Sequence, residues 1–458
     1  MRHSSFFTAA AAIALVAAGS SVAKTQAPAP ASPARIDAAI RRAVVDTLAA
    51  RLIRHYVDAD TGMLIAARMR ARLGAGAYDT ITIPGRFAEA LTVDLRSIND
   101  DRHLNVTYNP ESPGATPGPQ GLQMAAVLPQ PTMPSGPPPT GPGADAARRT
   151  NYSLGKIDIL PGNVGYMDIR GFSGAQMVIP AIKSALEYLQ GTDAIIFDLR
   201  RNGGGSPFSV NIIISHFTSA DTIPSLTVKN RSGNQTFTRY TFATVPGPRR
   251  PTVPLYVLTS GATASAGEDF TFVLKNMKRA TIVGETTAGA GHNNANMNLG
   301  NGFNASISFT RVVDPKTGAE WERIGVAPDV KVDQAKALDV AHALALKTIA
   351  ANETDPRRVT VLDLTRQTIE AQAAPRTVPA ALLAAYAGEY EGGRKVGVDA
   401  GRLTYSPRQG APPDQLVALS DNTFAFGATR LSFERDGSRY LLRFAPPGVE
   451  ALTYRRTR

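Results

Sequence analysis

Cysteine is absent from all 458 residues of the chain. That excludes a disulfide framework, a thiol nucleophile and a lipid anchor attached through cysteine. Long hydrophobic runs are missing as well. Past the first two dozen residues nothing approaches the roughly 20 apolar residues that a membrane-crossing helix requires, so no integral membrane segment is expected in the mature chain. Histidine is scarce, with six in total, and none falls in a His-Glu-x-x-His pattern or another clustered ligand spacing. Neither a metal nor a cofactor is therefore expected. The formal charge is +11, yet no lysine- or arginine-rich block carries it. Arginines stand singly or in pairs such as Arg41-Arg42, Arg200-Arg201 and Arg249-Arg250, with few aromatics among them, so nucleic acid is not the expected partner.

What is present begins with an export signal. Met1-Arg2-His3 is basic, Phe6 to Ala18 is apolar, and Ser21-Val22-Ala23 supplies the small residues for cleavage after Ala23. A signal peptide over 1–23 and a periplasmic or secreted location are the expectation. Residues 24–35 form a proline- and alanine-rich tether. Ile36, Ile40, Val44, Leu48 and Leu52 recur every four residues, and helical spacing returns through Ile65, Met69 and Leu73, then Phe87, Leu91, Leu95 and Ile98. A helical domain over 36–108 follows. Proline and glycine dominate the next segment, read as a loop or linker over 109–150. Apolar strands then alternate with helices over 151–351, the pattern of an α/β unit. After a linker over 352–379, short alternating segments such as Arg402 to Tyr405, Thr429 to Phe433 and Tyr440 to Phe444 predict a separate antiparallel β unit over 380–458, with Asp436-Gly437 as a hairpin turn.

Two motifs in the α/β unit carry chemistry. Asn202-Gly203-Gly204-Gly205 lies between the strand-like Ala194 to Leu199 and a helix through Asn211 to His216. Ser265 in Thr259-Ser260-Gly261-Ala262-Thr263-Ala264-Ser265-Ala266-Gly267-Glu268 lies between the strand Leu255 to Leu258 and a helix from Ala266 to Asn276. The first amides of a helix have no internal partners and carry partial positive charge, so a serine that opens one has anion-stabilising dipoles within reach. No Gly-Lys-Ser/Thr follows the glycines, which argues against a phosphate loop.

A serine hydroxyl needs a base, and histidine suits that task. His3 lies in the leader. His55 and His342 lie in helical patterns, and His216 sits one helix beyond the glycines, where structural roles suffice. His103, just past a helix end beside Asp100-Asp101, and His292, in a glycine-rich loop, remain. His103 is the preferred base; His292 is the alternative, or lines the substrate cleft. Asp100-Asp101 reads as the cap of the following turn and Asp198 as a structural ion-pair partner for Arg200.

In this order, Asn202-Gly203-Gly204-Gly205, Ser265-Ala266-Gly267-Glu268 and Glu322-Arg323-Ile324-Gly325-Val326-Ala327-Pro328-Asp329 resemble the tail-specific (C-terminal processing) serine peptidases. The likeness is closest to the branch of interphotoreceptor retinoid-binding protein and the tricorn protease core. It runs from about Ile36 to Val332. It implies a crotonase/Clp-protease-like core with an N-terminal helical bundle, Ser265 as nucleophile, His103 as base and Glu322 as the acid of the relay. The amide of Ala266, with that of Gly203 or Gly204, would form the oxyanion hole. Ala290 stands where Ser-Lys members carry lysine, and Arg102 where tricorn has a serine before its histidine. No PDZ module is visible. The region from Ala380, with Tyr386-Ala387-Gly388-Glu389-Tyr390, is similar to a lipocalin-like β domain. The function so implied is hydrolysis of a polypeptide substrate through an acyl-enzyme, or of esters by the same machinery. The retinoid-binding relatives imply the alternative of a non-catalytic carrier of an apolar ligand.

Overall fold

The computed structural model describes residues 35–111, 140–231 and 234–457. The expected leader, the tether up to residue 34 and the proline-rich stretch 112–139 lie outside the described residues. Helices α1 (Ala38–His55), α2 (Ala59–Gly74) and α3 (Pro84–Arg96) form where the spacing predicted them. Asp37 and Asp58 cap the first two by accepting the N–H of Ile40 and of Thr61, each at 2.8 Å. Pro84 opens the third, at a position whose N–H would be unpaired in any case. Ile98 falls beyond the end of α3 and is exposed.

The three helices do not bury their apolar stripes on each other alone. The chain leaves α3 into a strand, β1 (Asn105–Tyr108), which joins a five-stranded antiparallel sheet built from residues far downstream. Val44, Leu48, Leu52, Met69, Phe87 and Leu91 share one core with Met297, Phe303, Ala305, Ile307 and Phe309. Alternate residues 303, 305, 307 and 309 lie on one face of their strand, as the period of two requires, and the helices cover that face. The expected all-helical unit is thus half of a helix-on-sheet layer. Past the proline-rich segment a further difference appears: α4 (Pro142–Arg149) is helical where a loop was expected.

The main, six-stranded sheet follows. Strands β2 (Leu154–Leu160) and β3 (Val164–Ile169) are antiparallel. Helix α5 (Ala175–Tyr188) leads to β4 (Ala194–Asp198), and α6 (Pro207–His216) follows it. Strands β5 (Pro224–Asn230) and β6 (Gln235–Tyr240) belong to the antiparallel sheet. Then come β7 (Leu255–Thr259), α7 (Ala266–Asn276) and β8 (Ala280–Gly284). Strands β9 (Asn293–Gly300) and β10 (Phe303–Val313) return to the antiparallel sheet, and β11 (Val330–Lys331) closes the main one. The main sheet has the order β11-β8-β7-β4-β3-β2, parallel except at β2.

Strands buried on both faces read as continuous apolar runs, and β4 shows why. Ile195 and Phe197 face the core shared with α5, α6 and α7, whereas Ala194 and Ile196 face α8 (Ala337–Asn352). Residues expected to be linker form α9 (Pro356–Ala373), capped by Asp355. Leu362 of α9 is buried beside Leu346 and Ile349 of α8. Its apolar positions are too few for a sequence-level helix signal, and it packs on another helix rather than on the sheet. Beyond it, α10 (Ala380–Tyr386) packs against two antiparallel sheets of four and five strands. Tyr386 stacks on Phe433 with centroids 4.2 Å apart. The hairpin expected at Asp436-Gly437 joins strands Thr429–Asp436 and Arg439–Ala445.

Candidate active site

Strands β4 and β7 are parallel neighbours, with Asp198 opposite Leu258. Their following turns therefore emerge side by side at the carboxyl edge of the sheet, where open α/β sheets build their sites. Side chains knit the two turns together. Ser260 Oγ donates to Arg200 O at 2.6 Å, Thr263 Oγ1 to Leu199 O at 2.7 Å, and Ala264 N to Asn202 O at 2.9 Å. Asn202, fully buried, donates to Ile169 O and accepts the Gly204 N–H, each at 2.9 Å.

Ser265 stands at the N-cap of α7 with φ 53° and ψ −117°. A non-glycine residue there bears strain of about 1–3 kcal/mol, and a serine on a strained strand-to-helix turn is the nucleophile-elbow arrangement. Gly204, at φ +111°, lies directly against it: a Cβ at position 204 would meet Ser265 Cβ at 2.8 Å and Ala266 N at 3.2 Å. The Gly204 amide is given to Asn202, whereas among the described residues the amides of Gly203, Gly205 and Ala266 have no protein acceptor; of these, Gly203 and Ala266 are the two that the resemblance implies for an oxyanion hole.

Glu268, one turn into α7 and fully buried, links the serine to the loop that carries His292. Its carboxylate accepts the N–H of Ser265 at 2.9 Å, Gly289 at 2.6 Å and Ala290 at 2.7 Å, and the hydroxyl of Thr287 at 2.5 Å. Burial pushes this carboxyl up while the four donors pull it down. Ala288 N donates to Thr263 O at 2.9 Å, which fixes the same loop on the serine turn from its other side.

The next residues of that loop reach a buried cluster. Glu322 accepts the N–H of Gly291 at 2.6 Å and of His292 at 3.1 Å. His292 Nδ1 lies 3.2 Å from Asp101 Oδ2 and 3.7 Å from Glu322 Oε2. Asp101 is fully buried. It accepts from Tyr56 Oη at 3.0 Å and from His103 N at 2.9 Å, and its Oδ1 lies 3.9 Å from His103 Nδ1. Asn99 Nδ2 in turn donates to Tyr56 Oη at 2.6 Å. Asp101 therefore stands between the two imidazoles that the sequence left as candidates.

Electrostatics separate those imidazoles. Burial lowers the pKa of His103, with the Asp101 charge opposing, and its Nδ1 is buried without a hydrogen-bond partner. Burial also acts to lower His292, but its bond to Asp101 and the charges of Glu322 and Asp101 prevail and raise it. For Asp101, burial is the largest influence and acts upward, yet His292 and the other donors bring the carboxyl down to about 2. Glu322 is raised, chiefly by burial. Glu322 thus engages His292, and Asp101 rather than position 102 occupies the centre of the network. Asp101 was expected only to cap a turn. No local sequence signal distinguishes the two readings, because its partners lie 45 and 191 residues away. Asp198 pairs with Arg200 at 2.6 Å as expected, and His216 and His342 bond backbone carbonyls.

A strained serine beside a glycine turn, free amides at a helix start and a buried histidine–carboxylate network, joined to the serine turn through Glu268 and the loop before His292, are the kinds of group that acyl transfer uses. Residues 163–332 match the family model of peptidase family S41. The chain is 31% identical to the carboxyl-terminal-processing protease of Synechocystis sp. over 39% of its own length and 40% of that protein. It is 28% identical to the carboxy-terminal processing protease CtpB of Bacillus subtilis over 38% and 34% of the two chains. The solved photosystem II D1 C-terminal processing protease superposes with a TM-score of 0.39 at 19% identity, covering 64% of this chain and 93% of that one. The chain spans about two fifths or less of those two curated relatives. The family match therefore covers the main sheet from β3 to β11, both turns, His292 and Glu322, while β2, Asp101, His103 and the C-terminal sheets lie outside the matched segment.

Proposed function

We propose that the protein is an exported serine-type peptidase that cleaves polypeptides through an acyl-enzyme on Ser265. The observation that carries this reading is the strained backbone of Ser265 at the start of α7, packed on Gly204. His103 is the base. Held neutral by burial at pH values where His292 remains charged, it is the imidazole able to accept the serine proton. Asp101, which accepts the His103 backbone N–H and faces its Nδ1 at 3.9 Å, is the carboxylate that closes on the ring from the position next to Arg102, where the tricorn-like relay has a serine. Glu322 acts on this network through His292. The Gly203 and Ala266 amides receive the oxyanion, and each such donor is worth about 10²–10³ in rate. The leader supports export, the main sheet with its helix-on-sheet companion supports a crotonase/Clp-like core, and the C-terminal sheets support a lipocalin-like appendage.

The test is a fluorophosphonate probe followed by intact mass. One adduct on the wild-type mature protein, absent in Ser265→Ala and slowed in His103→Ala, is expected. Absence of an adduct on folded protein, together with tight binding of a hydrophobic ligand, overturns the peptidase in favour of a carrier. Labelling that survives His103→Ala but vanishes in His292→Ala transfers the role of base to His292, whose Nδ1 already bonds a carboxylate. Comparing C-terminal fragments of exported proteins with and without the enzyme identifies the substrate.

A further inference from the structure

We infer that Asp101, His292 and Glu322 form a binding site for a first-row divalent cation, with Zn²⁺ as the ion that fits. Their ligand atoms, one imidazole nitrogen and two carboxylate oxygens, all lie within 4.8 Å of one another. Zinc bonds nitrogen and oxygen at about 2.0–2.2 Å, so two ligands on one tetrahedral ion stand roughly 3.3 Å apart. The observed separations of 3.2 Å from His292 Nδ1 to Asp101 Oδ2 and 3.7 Å to Glu322 Oε2 bracket that value, and an ion entering there displaces the proton that now joins Nδ1 to Asp101. Bringing the two carboxylates to the same spacing needs a shift of about 1.5 Å at most, within the reach of a glutamate side chain.

The surroundings are those of a ligand set held from outside. Metal-binding carboxylates and histidines are oriented by a second layer of hydrogen bonds. Here Tyr56 Oη donates to Asp101, itself receiving a bond from Asn99, and the Gly291 and His292 amides donate to Glu322. An access route exists: His292 and Glu322 border a cleft of about 580 Å³ that Tyr56, Asn99, Arg231 and Arg323 also line. Three protein ligands and an opening leave a fourth position for water or an incoming group. Mixed imidazole and carboxylate donors favour zinc over magnesium, which demands an octahedral, largely oxygen environment. The three ligands come from the segment after α3, the loop before β9 and the loop after β10, which is why no spacing in the sequence announced them.

The inference is independent of the peptidase reading, because binding is measured directly on the full mature chain, whereas the serine is tested by labelling in chelator. After dialysis against EDTA, titration with ZnCl₂ should show one saturable ion per chain, not displaced by millimolar MgCl₂. His292→Gln and Glu322→Gln should each weaken binding by about 100-fold, the upper end of what loss of a mere supporting contact costs. In wild-type protein labelled at histidine, the same titration should shift the His292 imidazole signal, a readout that needs no variant to fold. No saturable binding up to about 100 µM zinc, an unmoved His292 signal, or equal binding in both folded variants overturns the site. Because Asp101 also faces His103, a bound ion should slow phosphonylation of Ser265 several-fold; unchanged labelling at saturating zinc overturns that coupling.

Discussion

Substitution of Glu268 separates what a carboxylate does for this fold from what its shape does. In the native chain Oε1 accepts from Thr287 Oγ1 and Gly289 N, and Oε2 from Ser265 N and Ala290 N. Glutamine keeps the shape and one acceptor. Its amide will turn so that the oxygen serves Ser265 and Ala290 while the NH₂ meets Thr287, whose hydroxyl can accept. The Gly289 N–H and the Thr287 hydroxyl proton, whose oxygen already accepts Val326 N at 2.7 Å, are then left unpaired, a loss of about 1–3 kcal/mol. Alanine removes the acceptor from all four donors. Water entering the small cavity relieves part of this, so about 1 kcal/mol for each donor, or about 4 kcal/mol in all, is the expected loss. Urea unfolding followed by tryptophan fluorescence measures it cleanly. The single tryptophan, Trp321, is buried with its ring centroid 4.6 Å from that of Phe272 in α7. If Glu268→Gln is as damaging as Glu268→Ala, or Glu268→Ala costs under about 1 kcal/mol, the four-donor account is wrong.

Four other outcomes follow from the same geometry. Gly204→Ala should abolish fluorophosphonate labelling and cost about 1–3 kcal/mol from its φ alone, since its Cβ would meet that of Ser265 at 2.8 Å; labelling at the native rate would refute the close approach. The labelling rate should fall as pH drops below 6.5, because burial holds the His103 pKa beneath that value and only the neutral ring accepts a proton; a rate flat down to pH 4 removes His103 as base. The His292 imidazole should titrate above 6.5, and lower in Asp101→Asn, by histidine NMR. As to sign, the raised histidine contributes stability present below pH 6.5 and lost as pH rises through its folded value. Asp101, lowered to about 2, contributes stability present above about 3.8 and lost as pH falls towards 2. The pair's contribution is therefore greatest between about pH 4 and 6.5, and a stability curve with no fall on either side of that window argues against the bond.

Much of the main sheet was legible because its strands are buried on both faces and its helices on one, so Ala194 to Leu199 and Phe270, Val273 and Leu274 announce themselves by period. Strands β9 and β10 were harder to read. The first is rich in asparagine, and the alternation of the second makes sense only once α1 to α3 cover the face bearing Phe303, Ile307 and Phe309. Helix α9 escaped notice because its partner is another helix and its own apolar positions are sparse. Ser265 and the glycines were visible as motifs, but the amide bonded to Asn202 was not: choosing Gly203 over Gly204 needs coordinates, since both glycines look alike in a string.

By itself the amino-acid order determined which residues could do chemistry: a serine at a helix start, glycines at a neighbouring turn, two candidate histidines and an acid near position 322. It could do so because strand and helix periods, and the missing partners at a helix's first turn, are local properties. Only the tertiary structure decided which of these groups meet. Asp101 lies between His103 and His292, Glu322 turns to His292, and Glu268 ties the serine to the histidine loop. Such contacts join segments up to 191 residues apart. Their strength comes from burial, which only the packed chain creates.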